Sequence, residues 1–220
     1  MIIDLGLIDY EDCYKVQKEF ARRRKLGALD DSLIVAEHKP VFTIGRTGRM
    51  ENLLEDEEAL SCRGIKVLRV DRGGDITFHG PGQVVIYPII DLRRRGKDLH
   101  KYLRDLEEIS IRFLKEYSVA GRRFEGKTGV WAGDKKIASI GVGTSGWVTY
   151  HGLSVNINTD LSYFSMIYPC GMKSAMATSL AEILRREIPM PEAKAKLVSC
   201  FRGMLGMAQY EYAKVPAALA

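Results

Sequence analysis

An α+β fold, a single domain built on a mixed, largely antiparallel sheet covered by helices, follows from three features of the 220-residue chain. Strand-like and helix-like segments are interleaved along it rather than grouped. Adjacent strand segments are joined by turn-sized loops, which makes those neighbours antiparallel. No stretch has the composition of a linker, so residues 1–220 read as one unit, with a C-terminal helical segment from about 187 to 220.

The first 25 residues suggest a helix with Cys13, Tyr14, Gln17 and Phe20 near one face, followed by strands around Ser32–Glu37 and Val41–Ile44. A further strand, Lys66–Val70, leads into a glycine-rich stretch and then the apolar run Val84–Ile90. The clearest helix spans about Leu99–Tyr117, where apolar residues recur at three-and-four spacing behind Asp98, a good N-cap. Strands at about Lys136–Gly143 and Trp147–Asn158 flank Gly143-Thr144-Ser145-Gly146, which reads as a tight hairpin turn. A capping box at Ser179 opens another helix, Pro189 and Pro191 stop it, and a last helix from about Glu192 to Leu205 carries Cys200 among core residues.

Hydrophobic residues make up 46% and charged residues 28%, with 7 prolines, as in ordinary globular proteins rather than disordered ones. The longest apolar run, Val84–Ile90, is far short of the roughly 20 residues of a spanning helix, so no membrane partner is expected. The opening Met-Ile-Ile-Asp-Leu-Gly lacks a basic leader, which points to a cytoplasmic chain with reduced thiols. The four cysteines (Cys13, Cys62, Cys170, Cys200) have no metal-ligand spacing, and no metal is expected. A net charge of +5 and pI near 9.0, with basic runs at Arg22–Lys25, Arg93–Arg95 and Arg122–Arg123, favour acidic partners. Without a recognisable nucleic-acid module, nucleic acid is not expected among them.

The most unusual stretch is Arg72-Gly73-Gly74-Asp75-Ile76-Thr77-Phe78-His79-Gly80-Pro81-Gly82-Gln83. Its glycines let backbone approach a ligand and turn peptide N–H groups toward it. The string resembles the signature of the lipoyl(octanoyl) transferases. Two further blocks resemble the same family in the same order: Lys127-Thr128-Gly129-Val130-Trp131 with Lys136-Ile137-Ala138-Ser139-Ile140-Gly141 and His151-Gly152-Leu153, then Pro169-Cys170-Gly171 with Thr178-Ser179-Leu180. The resemblance spans about Ser32 to Leu184 and implies the α+β core of the biotin and lipoate protein ligase superfamily.

It also implies that Cys170 is an acyl-carrying nucleophile and Lys136 the residue that activates it. Strand alternation places Lys136 on one face with Ala138, Ile140 and Val142. In a hairpin pairing Val142 with Trp147 and Ala138 with His151, His151 falls on that face too. The acyl site implied by the resemblance takes in Arg72 to His79 (Gly73, Gly74, Asp75, Ile76, Thr77 and Phe78 between them), Ser139, Ile140, Gly141, Gly152, Leu153 and Ser154. By simple alternation Ser139, Gly141, Gly152 and Ser154 lie on the opposite face from Lys136, so a bulge or strand end would have to reconcile the two sets.

The implied reaction moves an octanoyl group from octanoyl-acyl carrier protein, through a Cys170 thioester, to a lysine of lipoyl domains in lipoate-dependent enzymes (2-oxoacid dehydrogenase E2 subunits and the glycine cleavage H protein). No cofactor, metal or ATP is implied. The competing expectations are an ATP-dependent lipoate-protein ligase or an octanoyl amidotransferase of the same superfamily and, more distantly, a non-catalytic carrier-protein or nucleic-acid binding module. The Pro-Cys-Gly block weighs against the ligase.

Overall fold

The computed structural model describes residues 1–168, 177–207 and 212–213. In chain order these form β1 (Ile2–Ile8), α1 (Tyr10–Lys25), β2 (Ser32–His38), β3 (Val41–Ile44), α2 (Glu57–Cys62), β4 (Lys66–Arg69), β5 (Ile76–His79) and β6 (Gln83–Ile89). Then come α3 (Leu99–Lys115), β7 (Gly121–Arg122), β8 (Val130–Ala132), β9 (Lys135–Ser145), β10 (Val148–Asn156), α4 (Leu180–Leu184) and α5 (Met190–Leu205).

Seven strands make the larger sheet in the order β1-β2-β6-β10-β9-β8-β7, and β4-β3-β5 make a smaller one. Only β1 with β2 and β3 with β4 run parallel; the remaining pairs are antiparallel. The mixed, largely antiparallel α+β architecture is therefore as expected, divided between two sheets.

The larger sheet is covered on both faces, which explains why β6 and β10 are buried along their whole lengths. On one face α1 sets Cys13, Val16 and Phe20 against Ile34, Val85 and Tyr150. On the other, α3 and α5 set Leu106, Phe113, Leu197 and Phe201 against Val84, Ile137 and Leu153. A third core, with Phe42, Ile76 and Phe78, lies under the smaller sheet and α2. The spacing of Tyr102, Leu106, Ile109 and Phe113 puts the apolar stripe of α3 inward, and the Asp98 carboxylate caps it by accepting the Lys101 N–H at 2.8 Å.

Several local expectations fail for identifiable reasons. Residues 2–8 form a strand, because Ile2 and Ile3 find parallel partners in β2. The hairpin turn is two residues long, at Gly146-Trp147, with φ of +58° and +69°. Both values suit a type I′ turn, and β9 runs on to Ser145, which pairs with Val148. His151 consequently faces Val142, not Ala138. Pro191 belongs to the first turn of α5, where its missing N–H costs nothing; only Pro189 stands outside as the cap residue. Cys200 is half-buried at the margin of the α3–α5 core rather than within it.

Candidate active site

A cavity of about 410 Å³ opens between the two sheets, within the roughly 300–1,000 Å³ range of small-molecule sites. One wall is the segment Arg72, Gly74, Asp75, Ile76 and Thr77, and the facing wall is Lys136, Ser139 and Ile140 of β9 with Trp131 of β8. Asn156, Phe164 and Ala177 close it.

A β-bulge brings Lys136 into this cavity. In the pairing of β8 with β9, Val130 stands opposite Ala138 but Trp131 opposite Lys136, so the register slips by one residue at Ile137. Ile137 and Ala138 both enter the α3–α5 core as a result. Lys136 thereby leaves the face of Ala138 and joins Ser139 at the cavity. The bulge overturns the face assigned by simple alternation and brings Lys136, though not His151, to the side of Ser139. The Lys136 ammonium lies 5.3 Å from the centroid of the Trp131 ring, in cation–π range. Its carbonyl accepts the Thr178 N–H at 2.9 Å, and Lys136 bridges to Ala177 in parallel.

Arg72 is structural glue for the opposite wall. Its buried guanidinium donates to the Thr43 carbonyl at 2.6 Å, to Thr43 Oγ1 and to the Gly73 carbonyl at 3.1 Å. The Gly73 N–H donates to the Val142 carbonyl at 2.9 Å, stitching the segment to β9. A Cβ on Gly45 would stand 2.2 Å from the Gly74 carbonyl, and one on Gly141 would stand 2.8 Å from the Gly73 carbonyl, so these two glycines are dictated by close backbone approach.

The rest of the expected set is distributed around the cavity rather than along it. Phe78 packs in the third core, its ring stacked 4.2 Å from that of Tyr163. His79 is buried and bonds Gln83 Oε1 at 2.7 Å; Gln83 Nε2 donates to Asn156 Oδ1, and Asn156 Nδ2 to the Thr178 carbonyl. This relay ends at the residue whose N–H donates to the Lys136 carbonyl. Burial, then the neighbouring His38, holds the His79 pKa well below the ordinary value, so it is neutral. Gly152 and Ser154 pair with Gly141 and Ser139, and Leu153 enters the α3–α5 core.

His151 belongs to another cluster, on the α1 side. At φ +56° its ring stacks on Tyr14, Nε2 bonds Asp71 Oδ1 at 2.8 Å, Nδ1 bonds the Tyr10 hydroxyl, and its own N–H donates to Gln17 Oε1. Burial pulls its pKa down to about 4 despite the Asp71 carboxylate. A neutral imidazole that donates from Nε2 and accepts at Nδ1 satisfies both partners. Asp71 also accepts from the Tyr14 and Tyr150 hydroxyls; partial burial would raise its pKa, but these hydrogen bonds prevail and hold it low.

Cys170 lies outside the described residues, as do its neighbours Pro169 and Gly171. Ala177, the first described residue after that block, lines the cavity, as does Phe164 further upstream. Among the other cysteines, burial pushes Cys13 up to about 12 and raises Cys200 as well, away from the thiolate. Trp131, Lys127 and Thr128, inside a motif already noted, and Asn156, two residues beyond Ser154, are cavity residues that the expected set missed. No pattern in the sequence marks Phe164.

The fold is similar to those of lipoate and biotin protein ligases of known structure. A bi-partite lipoate protein ligase from Thermoplasma acidophilum superposes with a TM-score of 0.76 at 15% identity, covering 99% of this chain and 88% of that one. A biotin protein ligase from Aquifex aeolicus gives 0.58 at 16%, covering 93% and 70%. Within that fold, the chain belongs to the lipoyl protein ligase A/B catalytic domain family, whose model matches residues 9–202. It is 49% identical over 203 residues to an octanoyltransferase of Rubrobacter xylanophilus, with 91% of each chain covered. It is 45% identical over 205 residues to one of Geobacter metallireducens, with 93% of each covered.

Proposed function

We propose that the chain is an octanoyltransferase acting through a Cys170 acyl-enzyme, with octanoyl-acyl carrier protein as donor and the lysine of a lipoyl domain as acceptor, in the cytoplasm. The observation that carries this reading is the cavity: Lys136, the glycine-rich wall and Ala177, the first described residue after the Pro-Cys-Gly block, border one space. The names of the relatives at 45–49% identity point the same way.

In this reading the Cys170 thiolate attacks the carrier thioester carbonyl. The new C–S bond replaces the old one, and the carrier leaves as a thiol after taking up a proton. The acceptor amine then attacks the acyl-enzyme, loses a proton and expels Cys170 as thiolate. The exchange of thioesters is nearly isoenergetic and amide formation runs downhill, so ATP is not needed. A thiol of pKa about 8.5 is only about 7% thiolate near pH 7.4, whereas one of about 7 is about 70% thiolate. A lysine cation in the same cavity supplies that stabilisation, of roughly 2 kcal/mol.

The test is intact mass after mixing the protein with octanoyl-loaded carrier protein and no ATP. One octanoyl adduct is expected, absent in Cys170→Ala and discharged by an apo lipoyl domain. An adduct that survives Cys170→Ala, or transfer only with ATP, would move the chain to the ligase reading.

A further inference from the structure

Glu107 stands on α3 with its carboxylate wholly buried, yet it takes no part in the chemistry above. Its Oε2 accepts from Arg104 Nη1 at 2.6 Å and from Arg123 Nε at 3.0 Å, and its Oε1 accepts the backbone N–H of Gly129 at 3.2 Å. Two of these three donors sit at the ends of segment 123–129, the connection from β7 to β8. Between those ends Phe124 is half-buried against Trp131 while residues 125–128 are exposed, and Gly126, Lys127 and Thr128 join the cavity wall. A buried carboxylate is a costly way to hold a loop, because an apolar side chain of similar volume would pack there as well or better. What an apolar side chain would not do is fix the direction of one peptide N–H.

Gly129 is where that direction matters. Its φ of +132° is reserved in practice for glycine. A Cβ there would stand 2.6 Å from Lys136 Cε, 3.2 Å from Lys136 Nζ and 2.7 Å from the Ala138 carbonyl. The glycine thus forms a flat wall against the lysine side chain, and the Trp131 ring lies 5.3 Å from its ammonium.

We propose that Glu107 and Gly129 are a pair of positioning residues: Glu107 pins the Gly129 peptide, and Gly129 confines the Lys136 ammonium to the cavity. The proposal rests on the reading of Lys136 as the residue that activates Cys170 and deepens it by naming what holds the lysine.

The variants are Gly129→Ala, Glu107→Leu and Glu107→Gln, which keeps an oxygen to accept the Gly129 N–H. A first readout addresses the lysine alone: trace acetylation with acetic anhydride, comparing Lys136 with the exposed Lys15 of the same molecule. A change in that ratio of about threefold or more is expected for Gly129→Ala and Glu107→Leu and a smaller one for Glu107→Gln, whose amide keeps an acceptor for the Gly129 N–H but turns an NH2 toward the Arg104 and Arg123 donors. A second readout is the pH dependence of Cys170 alkylation by iodoacetamide, whose midpoint should rise by about one unit in the same two variants. Arg72, Asp75 and Lys127 also face the cavity and the Lys135–Glu182 pair flanks it, so midpoints are compared between variants rather than read singly. Arg123→Gln loosens the same clamp from its solvent side without touching packed core and should move both readouts the same way.

An unchanged Lys136 ratio in folded Gly129→Ala and Glu107→Leu, or in Arg123→Gln should those two not fold, overturns the proposal. A changed ratio with a static Cys170 midpoint upholds the positioning of Lys136 and overturns its role at Cys170.

Discussion

Asp71 and Arg72 divide the work of one wall between two neighbouring side chains. Asp71 points to the α1 side, where His151, Tyr14 and Tyr150 hold it, while Arg72 reaches back to Thr43 and fixes the glycines that line the cavity. Asp71→Asn keeps the size but gives up the charge that His151, Tyr14, Tyr150 and Lys18 share, so a loss of about 1–3 kcal/mol is expected. Thermal unfolding should show that as a drop of several degrees, and Lys18, paired to Asp71 on the surface, should matter far less. At Lys136 the expected effect is kinetic. Lys136→Ala should slow acylation most near neutral pH and recover in part at higher pH, because alkali supplies the thiolate that the missing cation no longer favours. Rates of adduct formation across pH measure this, and a uniform loss at every pH would deny the lysine that role.

The β9–β10 hairpin shows what an element reveals and what it hides. Trp147 occupies a left-handed position that costs a non-glycine residue about 1 kcal/mol, and it is partly exposed. Gly146→Asn with Trp147→Gly creates the Asn-Gly pair that type I′ turns prefer, so the double variant should unfold at a higher temperature. Activity should not change, since nine residues of β9, about 30 Å, separate Ser145 from Lys136. From sequence, α3 was legible because seventeen residues repeat one apolar stripe behind one cap. The turn was misplaced because Gly143-Thr144-Ser145-Gly146 contains the same residue types as a four-residue loop, and positive φ at a tryptophan leaves no compositional mark. The sequence calls for a bulge or strand end near Lys136 but does not place it at Ile137, because that bulge exists only in the register with β8, a three-residue strand whose own identity depends on its partners. On the glycine-rich segment Gly74 and Gly82 are legible because φ values of +88° and +77° favour glycine. Asn156 and Phe164 reach the cavity through tertiary placement alone.

Across the molecule, part of the basic charge is already tied to acids of the fold. Arg24 is buried between Asp31 and Asp91, Arg93 and Arg95 pair with the same two acids, and Arg123 pairs with Glu107 and Glu108. The runs that looked like a docking surface are thus partly internal ties. Buried histidines set a second property of the whole fold, its response to acid. His38 donates from Nδ1 to the Ile8 carbonyl and accepts at Nε2 from the Tyr87 hydroxyl, an arrangement that requires a neutral ring, and burial pulls its pKa down to about 4. His151 is lowered to about 4 and His79 well below its ordinary value, also by burial first. Each imidazole binds a proton in the unfolded chain near pH 6.5 and in the folded chain only far lower. Between those values the unfolded state holds more protons, so stability falls as pH drops from about 6.5 toward 4. A shift of this size corresponds to on the order of 3 kcal/mol for His38 alone at the acid end. Denaturant midpoints measured from pH 7.5 to about 4.5 should therefore decline steeply, and His38→Gln, which presents a donor and an acceptor without titrating, should flatten the decline while lowering stability at pH 7.5 only modestly. A wild-type midpoint that stays level down to pH about 4.5 would mean that these rings take up protons within the folded state.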